Sequence, residues 1–349
     1  MPTTNARVRR PTRNDVARQA NVSGWTVSNV LNGHNDVSIS EQTRRRVLEA
    51  ARCLGYQANN SARALATGKT RTIGLWMCLG YSRYRAHALH RMQQLIKRSN
   101  YEIVVRDIEE ELLRDGNPGN AFKIPIDGIV TFDTPMARMA VRHQGTVPIP
   151  MVSMGAYWSQ DGDYVGVDLR AGAVDAMRHL IDTGRRRIGH LLPITAANEP
   201  NEPRLTAYRE VLAEAGLEPI YLFAQDVALA SSRTVVRDFL VASGQVDAIL
   251  CHDDGMAFGA HRALSDLNIR IGEDIALIGC DGIEETEYLS PPLSAIVQPT
   301  EEMCATAWSY LENRIQDPGR GPQQIILKPR LAVRASTVPN STKRFSDSC

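Results

Sequence analysis

The sequence lacks most of the features that announce catalysis, export or a membrane. No stretch approaches the roughly 18 apolar residues that a membrane-crossing helix needs, and the opening residues MPTTNARVRRPTRN contain no apolar export-signal core. A cytoplasmic location is therefore expected. The six cysteines, Cys53, Cys78, Cys251, Cys280, Cys304 and Cys349, show no CxxC or CxxH spacing. This argues against a zinc site or a disulfide frame and for incidental or buried thiols in a reducing compartment. There is no GxSxG elbow, no HExxH pair and no dinucleotide fingerprint between a strand and a helix. Gly68, Lys69 and Thr70 spell the end of a phosphate-binding loop, but Arg63 occupies the place of its first glycine and the segment precedes a strand. His87, His90, His179, His190, His252 and His261 lack ligand spacing joined to acidic partners, so no metal, no cofactor and no enzyme are expected.

With 349 residues, 43% hydrophobic and 23% charged, the chain is long enough for more than one domain. Its net charge of +1 conceals an asymmetry. Residues 1 to 70 carry 11 Lys or Arg against 4 Asp or Glu, a balance of +7, and the remainder carries 29 against 35, a balance of −6. A basic segment ahead of an acidic one points to a polyanionic partner for the first part. Arg7, Arg9, Arg10, Arg13, Arg44, Arg45, Arg46 and Arg63 are candidate phosphate contacts.

That basic part contains TRNDVARQANVSGWTVSNVL, Thr12 to Leu31, which reads as helix, tight turn, helix. Thr12 is a hydroxyl N-cap, and Val16, Ala17 and Ala20 share one face. Asn21 tolerates the left-handed conformation a sharp reversal needs, and Ser23 can cap the second helix. In that helix Val27, Val30 and Leu31 fall on one side, with Trp25, Ser28, Asn29 and Asn32 on the other. A third helix is expected from Ser40 to Gly55, with Val47, Leu48, Ala51 and Leu54 as its apolar stripe. NNSARALA, Asn59 to Ala66, has high helix propensity but is marginal on its own.

From Arg71 onward, apolar strand-like runs alternate with amphipathic helices, TIGLWMCL, Tyr84 to Lys97, YEIVVRDI and DGIVTF with PIPMVSMG. The pattern restarts after Gly166 with RIGHLLP, IYLFAQ, DAILCH and IALIGCD separated by helical segments. Two such runs predict two α/β lobes with parallel sheets.

On DVARQANVS, TVSNVLNG, VSISEQTRRRVLEAARCLGY and ARALATGKTRTIGL, the chain resembles the lactose-repressor (LacI/GalR) family of bacterial transcription regulators. The resemblance implies an all-α helix-turn-helix headpiece followed by an α/β, two-lobed, periplasmic-binding-protein-like effector domain. The expected division is 1–58 for the DNA-binding domain and 59–70 for hinge helix and linker. The effector and dimerisation domain then occupies 71–340, and 341–349 is a polar tail. Within that domain the first lobe takes about 71–167 and 298–327, and the second about 168–297 and 328–340.

The resemblance further implies double-stranded, near-palindromic operator DNA and a small-molecule effector, a sugar, polyol or related metabolite, as partners. It places Gly24, Trp25 and Asn29 against base edges in the major groove, with Thr12, Ser23, Thr26, Ser28, Asn32, Asn59 and Ala62 in the wider DNA contact. Leu65 matches a leucine wedge in the minor groove. Trp25 stands where a small or hydrogen-bonding residue is usual, Asn29 where arginine is common, and Ala58 where proline is frequent. Asn29 can pair with adenine, and Trp25 offers one N–H and a large apolar face; packing against the first helix or a partner domain is the duller role for Trp25.

For the effector the resemblance implies Arg204, Asp253, Asp281 and Gln298, with Ser153 near the place of a missing cleft aspartate. Asp253 stands where asparagine is usual. An arginine facing carboxylates suits a ligand with both donors and acceptors, although Arg204 and Asp281 could instead pair with each other. Tyr157, Trp158, Tyr221 and Phe223 are weaker candidates for stacking on a sugar face. The short NPGN-containing stretch between Asp107 and Asp127 suggests a stunted second helix in the first lobe. The tail NSTKRFSDSC has no heptad pattern, so a homodimer is expected. A repressor fits best; an activator, a co-repressor-dependent regulator and a solute-binding module are the alternatives.

Overall fold

The computed structural model describes residues 11–31, 38–56, 68–77, 82–107, 125–134, 149–158, 160–199, 201–242 and 244–338. The chain divides into two compact units, Met1–Thr70 and Arg71–Cys349.

In the first unit, α1 (Arg13–Ala20), α2 (Gly24–Leu31) and α3 (Glu41–Leu54) surround a small core of Val16, Ala17, Ala20, Val27, Val30, Val47, Ala50 and Ala51. Local chemistry sets each boundary. Thr12 and Asp15 form a reciprocal capping box at the start of α1. Asn21 ends it at φ 50°, ψ 53°, a left-handed residue that costs asparagine less than other side chains. Ser23 accepts from the Thr26 N–H at 3.1 Å, Ser40 caps α3, and Gly55 closes it at φ 62°. One expectation fails: Leu48 is 50% exposed. It lies about 100° around the helix from Val47, whereas Ala50, Ala51 and Leu54 fall within about 60° of Val47, so Ala50 takes its place in the core. The segment 59–66 falls outside the described residues.

The second unit repeats one plan twice. The first sheet contains β1 (Thr72–Met77), β2 (Glu102–Asp107), β3 (Gly128–Phe132), β4 (Met151–Gly155), β5 (Asp163–Val167) and β11 (Gln324–Leu327), in the order β2-β1-β3-β4-β5-β11. The second contains β6 (Ile188–Pro193), β7 (Ile220–Ala224), β8 (Ala248–Cys251), β9 (Ala276–Asp281), β10 (Ser294–Val297) and β12 (Arg330–Ala332), in the order β7-β6-β8-β9-β10-β12. Pairing is parallel throughout except between β10 and β12. The uninterrupted burial of β3, β6 and β8 is what strands covered on both faces require. Helices α4 (Arg83–Arg98) and α10 (Thr300–Gln316) pack together over the first sheet. The second lobe carries α5 (Leu169–Asp182), α6 (Ile194–Ala197), α7 (Pro203–Ala215), α8 (Leu229–Val241) and α9 (Asp254–Asp266).

The chain passes between sheets three times, after Val167, after Val297 and after Leu327. A buried pair, Arg314 on α10 with Asp163 on β5 at 2.8 Å, fixes the returning helix to its lobe. The expected stunted helix before Asp127 lies in a stretch of which only residues up to 107 and from 125 are described. In each sheet the strand order reverses between the first and third strands, and crevices at the carboxyl ends of strands beside such reversals are where open α/β sheets bind ligands.

Candidate functional site

On α2, burial of Val27 and Val30 leaves the opposite side to solvent, and Trp25 is 62% exposed there. The Asn29 amide donates to the Trp25 carbonyl at 2.9 Å, so it is folded back on its own helix. Ser28 accepts from Arg13 at 3.3 Å, and a Cβ on Gly24 would lie 3.3 Å from the Arg13 Nε. Thr12 and Ser23 serve as helix caps, and the Thr26 hydroxyl lies 2.9 Å from that of Ser23. Gly24, Trp25, Ser28 and Asn29 therefore share one accessible side. Asn32, Asn59, Ala62 and Leu65 lie outside the described residues.

The second unit has a cavity of about 350 Å³, its open mouth included, between the two lobes. Ser82, Arg83 and Tyr84 line it from the first lobe, and Asp253, Asp254 and Asp281 from the second. All six follow the carboxyl ends of strands or close one, which is why residues so distant in sequence meet. Asp253 caps α9 by accepting from the Met256 N–H at 2.6 Å. Asp281, held at φ 124°, accepts from Gln298 Nε2 at 2.8 Å, and Gln298 Oε1 accepts from the Tyr84 hydroxyl at 2.9 Å. Gln298, at a crossing between lobes, thus ties α4 to the end of β9.

Arg204 does not meet the expectation of a free fork aimed at a ligand. Its Nε donates to Glu202 at 2.6 Å, Nη1 to the His252 carbonyl at 2.7 Å, and Nη2 to the Tyr157 hydroxyl at 2.7 Å, with His252 Nε2 at 3.1 Å. Its carboxylate partner is Glu202, two residues away, rather than Asp281. Burial alone would raise the Glu202 carboxyl, but Arg204, His252 and the Leu205 N–H outweigh it and hold the group at about 2. Ser153 is likewise corrected: it is 1% exposed, centred in β4 between Thr131 and Tyr164, because strand alternation and sheet register bury it. The carboxylate near that expected place is Asp133, at the end of β3, which accepts from the Ala156 and Tyr157 N–H groups at 2.7 and 3.4 Å.

The cavity carboxyls are strained by each other's company. Burial raises Asp281 well above the usual range, and Asp254 and Asp253 add to the rise. Asp254, fully buried, is pushed up to about 7 by burial and by Asp253, against two backbone N–H bonds from Ile283 and Gly282. Sequence reasoning missed Glu202, Tyr157 as a polar partner, Tyr84 and Asp133. Only Asp133 had a local signal, an acid directly after the apolar run GIVTF. Of the proposed stacking residues, Trp158 packs over Gly166, and Tyr221 and Phe223 stack on each other at 5.5 Å on the outermost strand.

A three-helix unit with an exposed second helix, preceding a two-lobed unit with an interlobe cavity of mixed polar and apolar lining, defines a DNA-binding transcriptional regulator carrying its own ligand-sensing domain. Residues 12–59 match the bacterial regulatory proteins of the lacI family, and residues 177–337 match the periplasmic binding protein-like domain. The chain thus carries a lacI-family regulatory domain ahead of a periplasmic binding protein-like domain. It is 28% identical to the ribose operon repressor of Haemophilus influenzae over 93% of this chain and 98% of that one. It is 29% identical to the HTH-type transcriptional repressor PurR of Aliivibrio salmonicida, over 92% and 97%. Among solved structures, the transcriptional regulator CelR–cellobiose complex superposes with TM-score 0.63 at 28% identity, covering 94% of this chain and 100% of that one. The fold also matches the lac repressor dimer bound to operator, with TM-score 0.78 at 23% identity over 95% and 100%.

Proposed function

We propose that this chain is a homodimeric repressor that binds a near-palindromic operator through α2 and its flanking segments. A small polyhydroxyl metabolite held in the interlobe cavity controls its affinity. The observation that carries the reading is the Tyr84–Gln298–Asp281 bridge at the cavity wall, because it couples both lobes to the place where a ligand would sit. A ligand that binds the two lobe arrangements differently shifts DNA affinity by that difference and no more. Relatives along nearly the whole chain are named as repressors, which supports the sign of control.

The test is a mobility shift of the full chain on its own upstream DNA, repeated with a panel of sugars and nucleobases. Release of a specific shift by one compound is the expected result. A shift appearing only with compound would replace induction by co-repression, and Asp281→Ala responding as the wild type would remove Asp281 from the site.

A further inference from the structure

The accessible side of α2 is poor in groups that discriminate bases. The helix, GWTVSNVL, contains no Lys, Arg or His. The Asn29 amide is engaged by the Trp25 carbonyl, the Thr26 hydroxyl lies against that of Ser23, and Gly24 has no side chain. A guanidinium nevertheless stands there, brought from the preceding helix. Arg13, the first residue of α1, donates from Nη1 to the Ser28 hydroxyl at 3.3 Å. On the way it passes over Gly24, where a Cβ would lie 3.3 Å from Nε, 3.6 Å from Cζ and 3.7 Å from Nη2.

Neither helix stability nor ion pairing accounts for this arginine. A cation in the first turn opposes the positive end of the helix dipole, and Arg13 makes no ion pair among the described residues. Asp15, the acid of that turn, completes the capping box with Thr12 and pairs with Arg18. A guanidinium has five N–H donors. Ser28 takes one, which orients the fork and leaves the others for a ligand. The N-terminal residues of a reading helix are the ones that touch base edges in the major groove, and there an arginine pairs with guanine through O6 and N7. A phosphate contact calls for charge on the flank of the helix, whereas this guanidinium lies over the reading side, against Gly24 and Ser28.

We infer that Arg13 is a base-reading residue. Seated over Gly24 and held by Ser28, it recognises a guanine in each operator half-site, and the missing side chain at Gly24 is what leaves it room. Residues 13 and 24 thus act as one recognition unit drawn from two helices. The inference rests on the reading of α2 as the operator-binding helix.

Selection of the full chain on a random double-stranded DNA library, with sequencing of the retained fraction and mobility shifts on the most enriched site, tests it. Wild type is expected to enrich a motif with a G·C pair in each half-site that turns degenerate in Arg13→Ala, Arg13→Gln and Gly24→Leu while the rest of the motif persists. Arg13→Ala should bind the enriched site about tenfold more weakly, and the loss should shrink once that pair is replaced. A motif identical in wild type and Arg13→Ala, with all sequences weakened alike and the salt slope reduced by about one, makes Arg13 a phosphate contact and overturns the inference. A guanine that survives in Gly24→Leu overturns it too. A wild type that enriches no sequence refutes the operator reading itself.

Discussion

Replacing Glu202 by glutamine keeps its shape and its bond to the Leu205 N–H but strands Arg204 as a buried, unpaired cation. The two side chains are 0% and 5% exposed, so solvent cannot take over. Removing one member of a buried pair costs about 3–5 kcal/mol. The titration gives a similar magnitude: the fall from 4.5 to about 2, at about 1.36 kcal/mol per pH unit, is roughly 3 kcal/mol. Because the folded carboxyl is depressed, this stabilisation is present at neutral pH and is lost as pH falls from about 4.5 through about 2. Urea unfolding of wild type and Glu202→Gln should differ by about 3 kcal/mol at pH 7, and by less than half of that near pH 3. A deficit under about 1 kcal/mol at pH 7, or one unchanged on acidification, would refute the view that charge pairing holds this network.

Three further outcomes follow from the structure. Trp25→Ala should leave stability within about 0.5 kcal/mol while weakening specific operator binding about tenfold, with the salt dependence retained, since a base contact contributes about 1–3 kcal/mol; mobility shifts at several salt concentrations check both. Asn21→Ala should lower headpiece stability by roughly 1 kcal/mol through its left-handed backbone, whereas Asn21→Gly should not, as hydrogen exchange of α1 and α3 amides in the full chain would report. Gly259→Ala should cost about 1–3 kcal/mol by overpacking, because its Cβ would meet the Leu229 carbonyl of α8 at 2.4 Å; thermal unfolding measures it.

The headpiece was readable from sequence almost residue by residue, because its determinants are local. Thr12, Asn21, Ser40 and Gly55 act on their own turns, and Val16, Val27 and Val47 bury themselves at helical spacing. Leu48 was misplaced where a contiguous apolar pair was read as a stripe without following its angle around the helix. The two α/β runs were likewise visible, since buried parallel strands advertise themselves as apolar runs, whereas the three crossings between lobes came only with the family resemblance.

Only the tertiary structure decided what the cavity residues do. Arg204 and Asp281 could be nominated, but whether they paired with each other depended on the 45-residue and 48-residue separations from Tyr157 and His252 to Glu202 and Arg204, which no local pattern encodes. Ser153 was moved from cleft to interior by strand register, and Asp133 and Tyr84 became neighbours of the site only when the strand ends converged, whereas Gln298 had been nominated through the resemblance. Local hydrogen bonding and periodicity determine elements from a few adjacent residues. Electrostatic partnership in a cleft is set by which distant strand ends the fold brings within 3 Å of each other.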